Sequence, residues 1–239
     1  MCIKQLLHHQ KHKYDRAKRH AQMVNQFFVD VDADASAAAV PDAHVGKIAL
    51  ESAQVCYGAL ILVLEQAKVD VALFMATAPI CISTGKPGYR KTHANHPFGK
   101  FVRRCPDNWQ YFLARAQALA REHTFRSARG TAHSVEAHIA WLMKNPPPAW
   151  DGTHLPLQTR CASVKGLDDR MPVSVPDEVA VDDDIVASYR AVYKVKAVEF
   201  KQPMRWTRRS PPEWLRSVIG RPIFKTARKA DGASVYTVQ

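Results

Sequence analysis

Residues 41–68, PDAHVGKIALESAQVCYGALILVLEQAK, constrain the fold more than any other stretch of the chain. From Ile48 to Leu64 apolar residues are dense nearly all the way round a 3.6-residue repeat. The segment is therefore predicted to be one long helix, with Asp42 as its N-cap after Pro41. A helix that is apolar on almost every side is normally buried, so the rest of the chain has to wrap it. One polar stripe breaks the pattern. His44, Lys47, Glu51 and Gln54 recur at spacings of three, four and three and line a single face. Such a stripe either meets solvent, with Lys47 and Glu51 as an ordinary helical ion pair, or points into a pocket lined by other polar groups, because an unpaired buried charge is costly.

The flanking segments predict the wrapping. FFVDVD, residues 27–32, alternates in the period-two manner of a short half-buried strand, and an Ala-rich connector follows it. Gly85, Pro87, Gly88, Pro97 and Gly99 make residues 81–100 a loop. Residues 105–126 restart a helix, with Pro106 in its first turn and Trp109, Phe112, Leu113, Ala116, Leu119 and Ala120 on its apolar face. A shorter helix over 134–145 opens on a Ser134 cap and stops at the triple proline 146–148. Residues 149–176 are rich in breakers and read as irregular. A last helix is expected over 181–200, acidic at its start and basic towards its end.

The expected architecture is mainly α: a single-domain helical bundle with a short N-terminal strand or hairpin and an irregular Pro-rich segment. Residues 1–24 form a basic, His-rich extension, 25–215 the helical domain, and 216–239 a basic tail expected to fray.

With 239 residues, 46% of them hydrophobic, the chain can bury a core without disulfides. Its five cysteines are odd in number and lack any CxxC pair, which argues against a secreted disulfide scaffold and a structural zinc module and favours a reducing compartment. The N-terminus has no signal-peptide core, and the aliphatic run at 59–65 is short for a bilayer, so the expectation is a cytoplasmic protein, or a nucleoid or nuclear one, with no membrane partner. Lys and Arg total 34 against 22 Asp and Glu, a net charge of +12 that attracts polyanions such as nucleic acid or phosphorylated substrates. Walker, GxGxxG, GxSxG, HExxH and zinc-deaminase patterns are all absent.

Several polar clusters could carry chemistry. KTHANHPFGKFVRR, residues 91–104, offers His93, Asn95, His96 and Arg103. Its proline, its glycines and the missing third ligand argue against a metal site, which leaves histidines that move protons, hold phosphate or simply face solvent. REHTFRSARGTAH places Glu122 and Arg126 four apart with His133 beyond. SYRAVYKVK stacks Arg190 with Lys194 and Tyr189 with Tyr193. RWTRRSPPEW interleaves Arg205, Arg208 and Arg209 with Trp206 and Trp214, a combination that can clamp phosphates and stack bases, or pack on the body of the fold.

Taken in order, FFVDVD, DAHVGKIALESAQ, YRKTHANHP, NWQYFLARAQALAREHTFR, SYRAVY and RWTRRSPPEW resemble a family of phage-encoded helical proteins over residues 26–215. That family stands beside the α-glutamyl/putrescinyl thymine pyrophosphorylases, or amino acid:DNA transferases. The resemblance implies an enzyme that acts on 5-pyrophosphoryloxymethyluracil in DNA and replaces pyrophosphate with an amine or amino acid, with no metal or cofactor. It implies catalytic roles for His44, Lys47, Glu51, His93 and His96. Glu51 or His44 would be the base, and His93 or His96 would assist the leaving group. Asp42, Asn95, Glu122, Arg126, His133, Arg190 and Arg205 match further polar positions, with Lys47, Arg126 and Arg190 as pyrophosphate binders. Arg103, Lys194 and Trp206 join them as expected substrate contacts. The chain departs from the family pattern at Ala43 and at Ser127, Ala128 and Arg129, where lysine and a Tyr-Gly-Lys run are expected, which bears on substrate and amine specificity. Two other functions compete: a non-catalytic nucleic-acid-binding protein, and a glycosylase or nuclease-like enzyme using Glu51 or Asp42.

Overall fold

The computed structural model describes residues 26–150, 181, 184–199 and 204–219, and the strands within 162–167 and 224–238. The extension 1–24 and most of the segment 149–176 lie outside the described residues. The protein is mainly helical. In chain order come α1 (Ala33–Ala39), α2 (Asp42–Gln66), α3 (Val71–Met75), a hairpin of β1 (Ile80–Cys81) and β2 (Lys86–Pro87), α4 (Pro97–Val102), α5 (Pro106–Arg126) and α6 (Glu136–Lys144). The pair β3 (Ala162–Ser163) and β4 (Gly166–Leu167) follows, then α7 (Ile185–Glu199), β5 (Met204–Thr207), α8 (Glu213–Ile219), β6 (Phe224–Arg228) and β7 (Ser234–Val238).

Helix α2 is the axis. It is long and apolar enough to cross a bilayer by length and composition, more so than its aliphatic run at 59–65 suggests, but most of its surface is buried by the other helices. Helix α5 packs along it through Trp109, Phe112, Leu113, Ala116 and Leu119, and α4 and α6 close two further sides. Phe28 anchors one aromatic cluster, with ring centroids 5.8 Å from Phe98, 6.3 Å from Phe112 and 6.0 Å from Tyr189. A second gathers near the far end of α2, where Tyr57 stacks on Trp141 at 5.7 Å and its hydroxyl meets His138 Nδ1 at 3.1 Å.

The expected strand at 27–32 is not one. Phe27, Phe28 and Val29 are all buried, so the alternation in FFVDVD does not divide an inner from an outer face, and among the described residues no strand pairs with it. The Ala-rich connector after it is helix α1, capped by Asp32 through the Ala35 amide at 2.7 Å. Arginines replace the missing ladder. Arg115, 1% exposed, donates from Nη2 to the Gln26 carbonyl and, at 2.9 Å, to that of Phe27. Its guanidinium also lies 4.3 Å from the centre of the Phe28 ring. Arg190 Nε donates to the Val29 carbonyl at 2.8 Å. Each of these carbonyls, left bare in the interior, would cost about 1–3 kcal/mol.

Two helix starts also differ from their predicted caps. Pro41, not Asp42, is the N-cap of α2, and the Asp42 carboxylate instead accepts from the amide of Thr207 at 2.9 Å and its hydroxyl at 2.7 Å, which pins β5 to α2. Helix α6 begins at Glu136, and the amide before it, Val135, is met by His133 Nδ1 at 3.2 Å rather than by Ser134. The expected loop 81–100 is interrupted: the β1–β2 hairpin overlaps its start, and its last residues, 97–100, already belong to α4, with Pro97 in the first turn and His96 as its N-cap. The tail 216–239 carries β6 and β7, and β7 lies between β6 and β5 in an antiparallel sheet.

Gly58 marks where the histidine loop meets the axis. A Cβ at that position would stand 1.8 Å from the Thr92 carbonyl oxygen, so backbone touches backbone and no side chain can yield. Gly58→Ala is expected to cost about 3 kcal/mol or more, read as a lowered urea midpoint. An unchanged midpoint would mean that the loop does not rest on α2.

Candidate functional site

The polar stripe of α2 is only partly open to solvent. Lys47 is 65% exposed in its side chain while Glu51, 3.6 Å away from it, is 19% exposed. One turn earlier His44 is held on two sides. Its ring stacks on Phe27 at 4.9 Å and an interplanar angle of 5°, and its Nδ1 lies 2.7 Å from the hydroxyl of Tyr193, a fully buried residue of α7. Lys196, one turn beyond Tyr193, brings its ammonium 5.1 Å from the centre of the same Phe27 ring. Burial first, then the charges of Lys196 and Lys47, push the His44 pKa down to about 4, so the ring is neutral near pH 7. Burial pushes the Glu51 carboxyl up, against the pull of the Lys47 charge and hydrogen bond. A neutral imidazole and a carboxylate of raised basicity thus flank an exposed lysine, with a second lysine acting on the same imidazole.

The remaining predicted residues divide by location. Thr92 lies over Gly58, seven residues past Glu51 on the same face of α2, so the loop of His93 and His96 extends the stripe about 10 Å further along the axis. His93 sits at a φ of 57° with its ring 6.1 Å from that of His96. His96 Nδ1 accepts the Phe98 amide at 3.2 Å, and burial, then the neighbouring His93, lowers its pKa. Asn95 is exposed, and Arg103 is buried with its guanidinium on the Ala94 carbonyl, where it supports the loop from below. His123 and His133 form a separate edge-on pair, 4.6 Å between centroids, pressed against Gly46, where a Cβ would meet the His123 ring at 2.8 Å.

Arg126 is committed to the fold. Its Nε donates to Glu122 at 2.8 Å. Nη1 reaches the Val40 carbonyl at 2.8 Å and Asp42 at 3.1 Å. Nη2 reaches the carbonyls of Ala37 at 3.5 Å and Ala38 at 2.8 Å. A guanidinium has five N–H groups, and all five are used, so none is left for a phosphate. Glu122 is equally occupied, since Arg209 grips it through Nε and Nη2 at 2.9 Å each. Burial alone would raise the Glu122 pKa, but the hydrogen bonds from Arg209 and Arg126 outweigh it and hold the carboxyl below its usual value. Asp42 belongs to the same network through Thr207 and Arg126.

Arg190 bonds Val29 and, at 3.1 Å, Asp30, and it lies 5.6 Å from the Trp214 ring. Trp206 is fully buried with its indole N–H on the Ala39 carbonyl at 3.0 Å, so it is core and not a stacking platform. Arg205 is exposed on β5 and Lys194 half-buried on α7. Sequence reasoning missed Phe27, Tyr193 and Lys196 as partners of His44. The signal was present on α7, where Tyr189, Tyr193 and Lys196 share one face at spacings of four and three. Among the described residues no group of three His, Cys, Asp or Glu side chains could hold a metal ion.

Four histidines carry lowered pKa values: His44, His96, His133 and His138, each chiefly through burial. The unfolded chain therefore binds protons more readily than the fold as pH falls through 6.5 towards 4. The stability these groups lend is complete above about pH 6.5 and lost below it, with Glu51 opposing the trend. His44 by itself accounts for about 2 kcal/mol between pH 7.5 and 5. The urea midpoint is expected to drop over that interval in the wild type and less steeply in His44→Gln. Equal midpoints at the two pH values would contradict the burial of these rings. No family model matches the chain, and no curated protein or solved structure matches it either.

Proposed function

We propose that the protein is a DNA base-modification transferase that replaces the pyrophosphate of 5-pyrophosphoryloxymethyluracil with an amine or amino acid. The observation that carries the reading is His44, held between Phe27 and Tyr193, set one turn from the exposed Lys47 and two turns from Glu51, and facing the charge of Lys196. Displacement at the methylene carbon forms a C–N bond from the amine lone pair and breaks the C–O bond. The electron pair leaves with pyrophosphate, and the amine releases one proton. Cations absorb the charge that grows on the leaving group, and a nearby base takes the proton. Lys47 and Lys196 supply the cations, and Glu51 and His44 are the groups placed to handle the proton.

Arg126 and Arg190 leave the list of pyrophosphate binders on this reading, because their hydrogen bonds already hold the chain together. His93, His96 and Asn95 stand further along α2, where an extended DNA strand crossing the stripe would reach them. The net charge of +12 supports a polyanionic substrate, and the cytoplasm or nucleoid is the compartment where such DNA is met.

The assay incubates the protein with DNA carrying the pyrophosphorylated base and a panel of amino acids and polyamines, then digests to nucleosides for mass analysis. A mass gain matching one donor, with pyrophosphate released in equal amount, is expected. Lys47→Ala should lower turnover about 100-fold while DNA affinity changes little. Unchanged nucleosides with every donor would overturn the transferase reading. Retained salt-dependent affinity would then leave a non-catalytic DNA-binding protein, and release of free base a glycosylase.

A further inference from the structure

The hydrogen bond between His44 Nδ1 and Tyr193 decides which way the imidazole faces chemically. Tyr193 is 1% exposed, and among the described residues its hydroxyl has a single hydrogen-bond partner, His44 Nδ1 at 2.7 Å. A phenol carries one proton to donate, and a buried O–H with no acceptor is penalised. If His44 donated from Nδ1, the Tyr193 proton would have nowhere to go. If Tyr193 donates, both groups are satisfied and the imidazole proton sits on Nε2. Burial also keeps the phenol protonated, pushing its pKa well above the ordinary value. Phe27 fixes the ring plane by stacking, so Nε2, across the ring from the bonded Nδ1, faces away from the Tyr193 hydroxyl.

We infer that Tyr193 is a positioning residue that locks His44 as the Nε2–H tautomer, so that His44 presents a neutral hydrogen-bond donor to a phosphate oxygen. A proton-accepting role for His44 is then closed, and within the transferase reading, on which this last step rests, Glu51 is the base. The balanced step is direct. The amine attacks the methylene carbon, Glu51 takes the amine proton, and pyrophosphate departs with the C–O electron pair. His44 Nε2–H bonds to a departing oxygen without giving up its proton. A neutral donor suits the position because Lys47 and Lys196 already surround it with positive charge, which makes a charged imidazolium unfavourable there.

The tautomer is read directly by long-range proton–nitrogen correlation NMR on the full chain with labelled histidine, the His44 signals being assigned by their loss in His44→Gln. A pyridine-type, hydrogen-bonded Nδ1 and a pyrrole-type Nε2 are expected between pH 6 and 8. The reverse pattern, or a mixture of the two, overturns the inference. In Tyr193→Phe, which keeps the ring packing, loss of the donor to Nδ1 should raise the His44 titration midpoint by about half to one pH unit. The other groups bearing on that midpoint, Lys47 and Glu51 on α2 and Lys196 on α7, are unchanged in the variant. An unmoved midpoint would mean that the phenol does not hold the ring.

Since neither spectrum needs a substrate, failure of the transferase assay and failure of the tautomer are separate results. With activity in hand, His44→Gln, which retains an N–H donor, should keep about a tenth of wild-type turnover, while His44→Ala and Glu51→Gln each fall about 100-fold or more. Equal losses in His44→Gln and His44→Ala would restore His44 as the base.

Discussion

Residues 26–29, and again the end of α1 through Val40, are packed inward with no partner strand among the described residues, and a buried carbonyl needs a donor wherever it lies. Arg115, Arg126 and Arg190 supply those donors, Arg115 to residues 26 and 27, Arg190 to 29, and Arg126 to 37, 38 and 40. Much else follows from this. Phe27, whose carbonyl Arg115 holds, lies flat against the His44 ring, and Arg126 collects the last carbonyls of α1, which packs on α5. A guanidinium is suited to the task by its rigid fork of donors, which a lysine ammonium would not reproduce.

The site grows out of the same arrangement. Helix α2 is buried on most sides, so its polar stripe survives only where other elements offer polar or aromatic partners. Tyr193 and Phe27 serve His44, Lys47 serves Glu51, and the Thr92 loop covers the stripe at Gly58. Charge is divided by depth. Arg115 and Arg126 lie inside and are fully engaged, whereas Lys47 remains largely exposed beside a carboxylate. That division separates the cations that build the protein from one left facing solvent.

The long helices were legible in the sequence because periodicity over five or six turns leaves few alternatives: α2 and α5 run close to where their apolar patterns and prolines place them. Short elements were not. FFVDVD has the alternation of a strand, but alternation reports two environments only when alternate residues meet water, and here residues 27–29 are all buried while Val31 and Asp32 are both exposed. Pro97 reads as a breaker, yet a proline also opens a helix, and its neighbour His96 caps this one. The stripe from His44 to Gln54 was visible as a line of polar residues, while the partner of His44 lies 149 residues away in sequence. An arginine's letter does not say whether its fork turns inward to carbonyls or outward to phosphate, and so Arg126 and Arg190 looked like substrate contacts.

Asp42 and Thr207 are separated by 165 residues, and their bond fastens β5 to the start of the axis. Chains are synthesised from the N-terminus and bury what they can as it emerges. Helices α1 to α6 all precede residue 145, so most of the core can close before α7 and β5 leave the ribosome. The surroundings of His44, whose Tyr193 and Lys196 arrive with α7, are therefore completed only after that core. A partly made chain that ends before α7 holds most of the core without the partners that bury and orient His44.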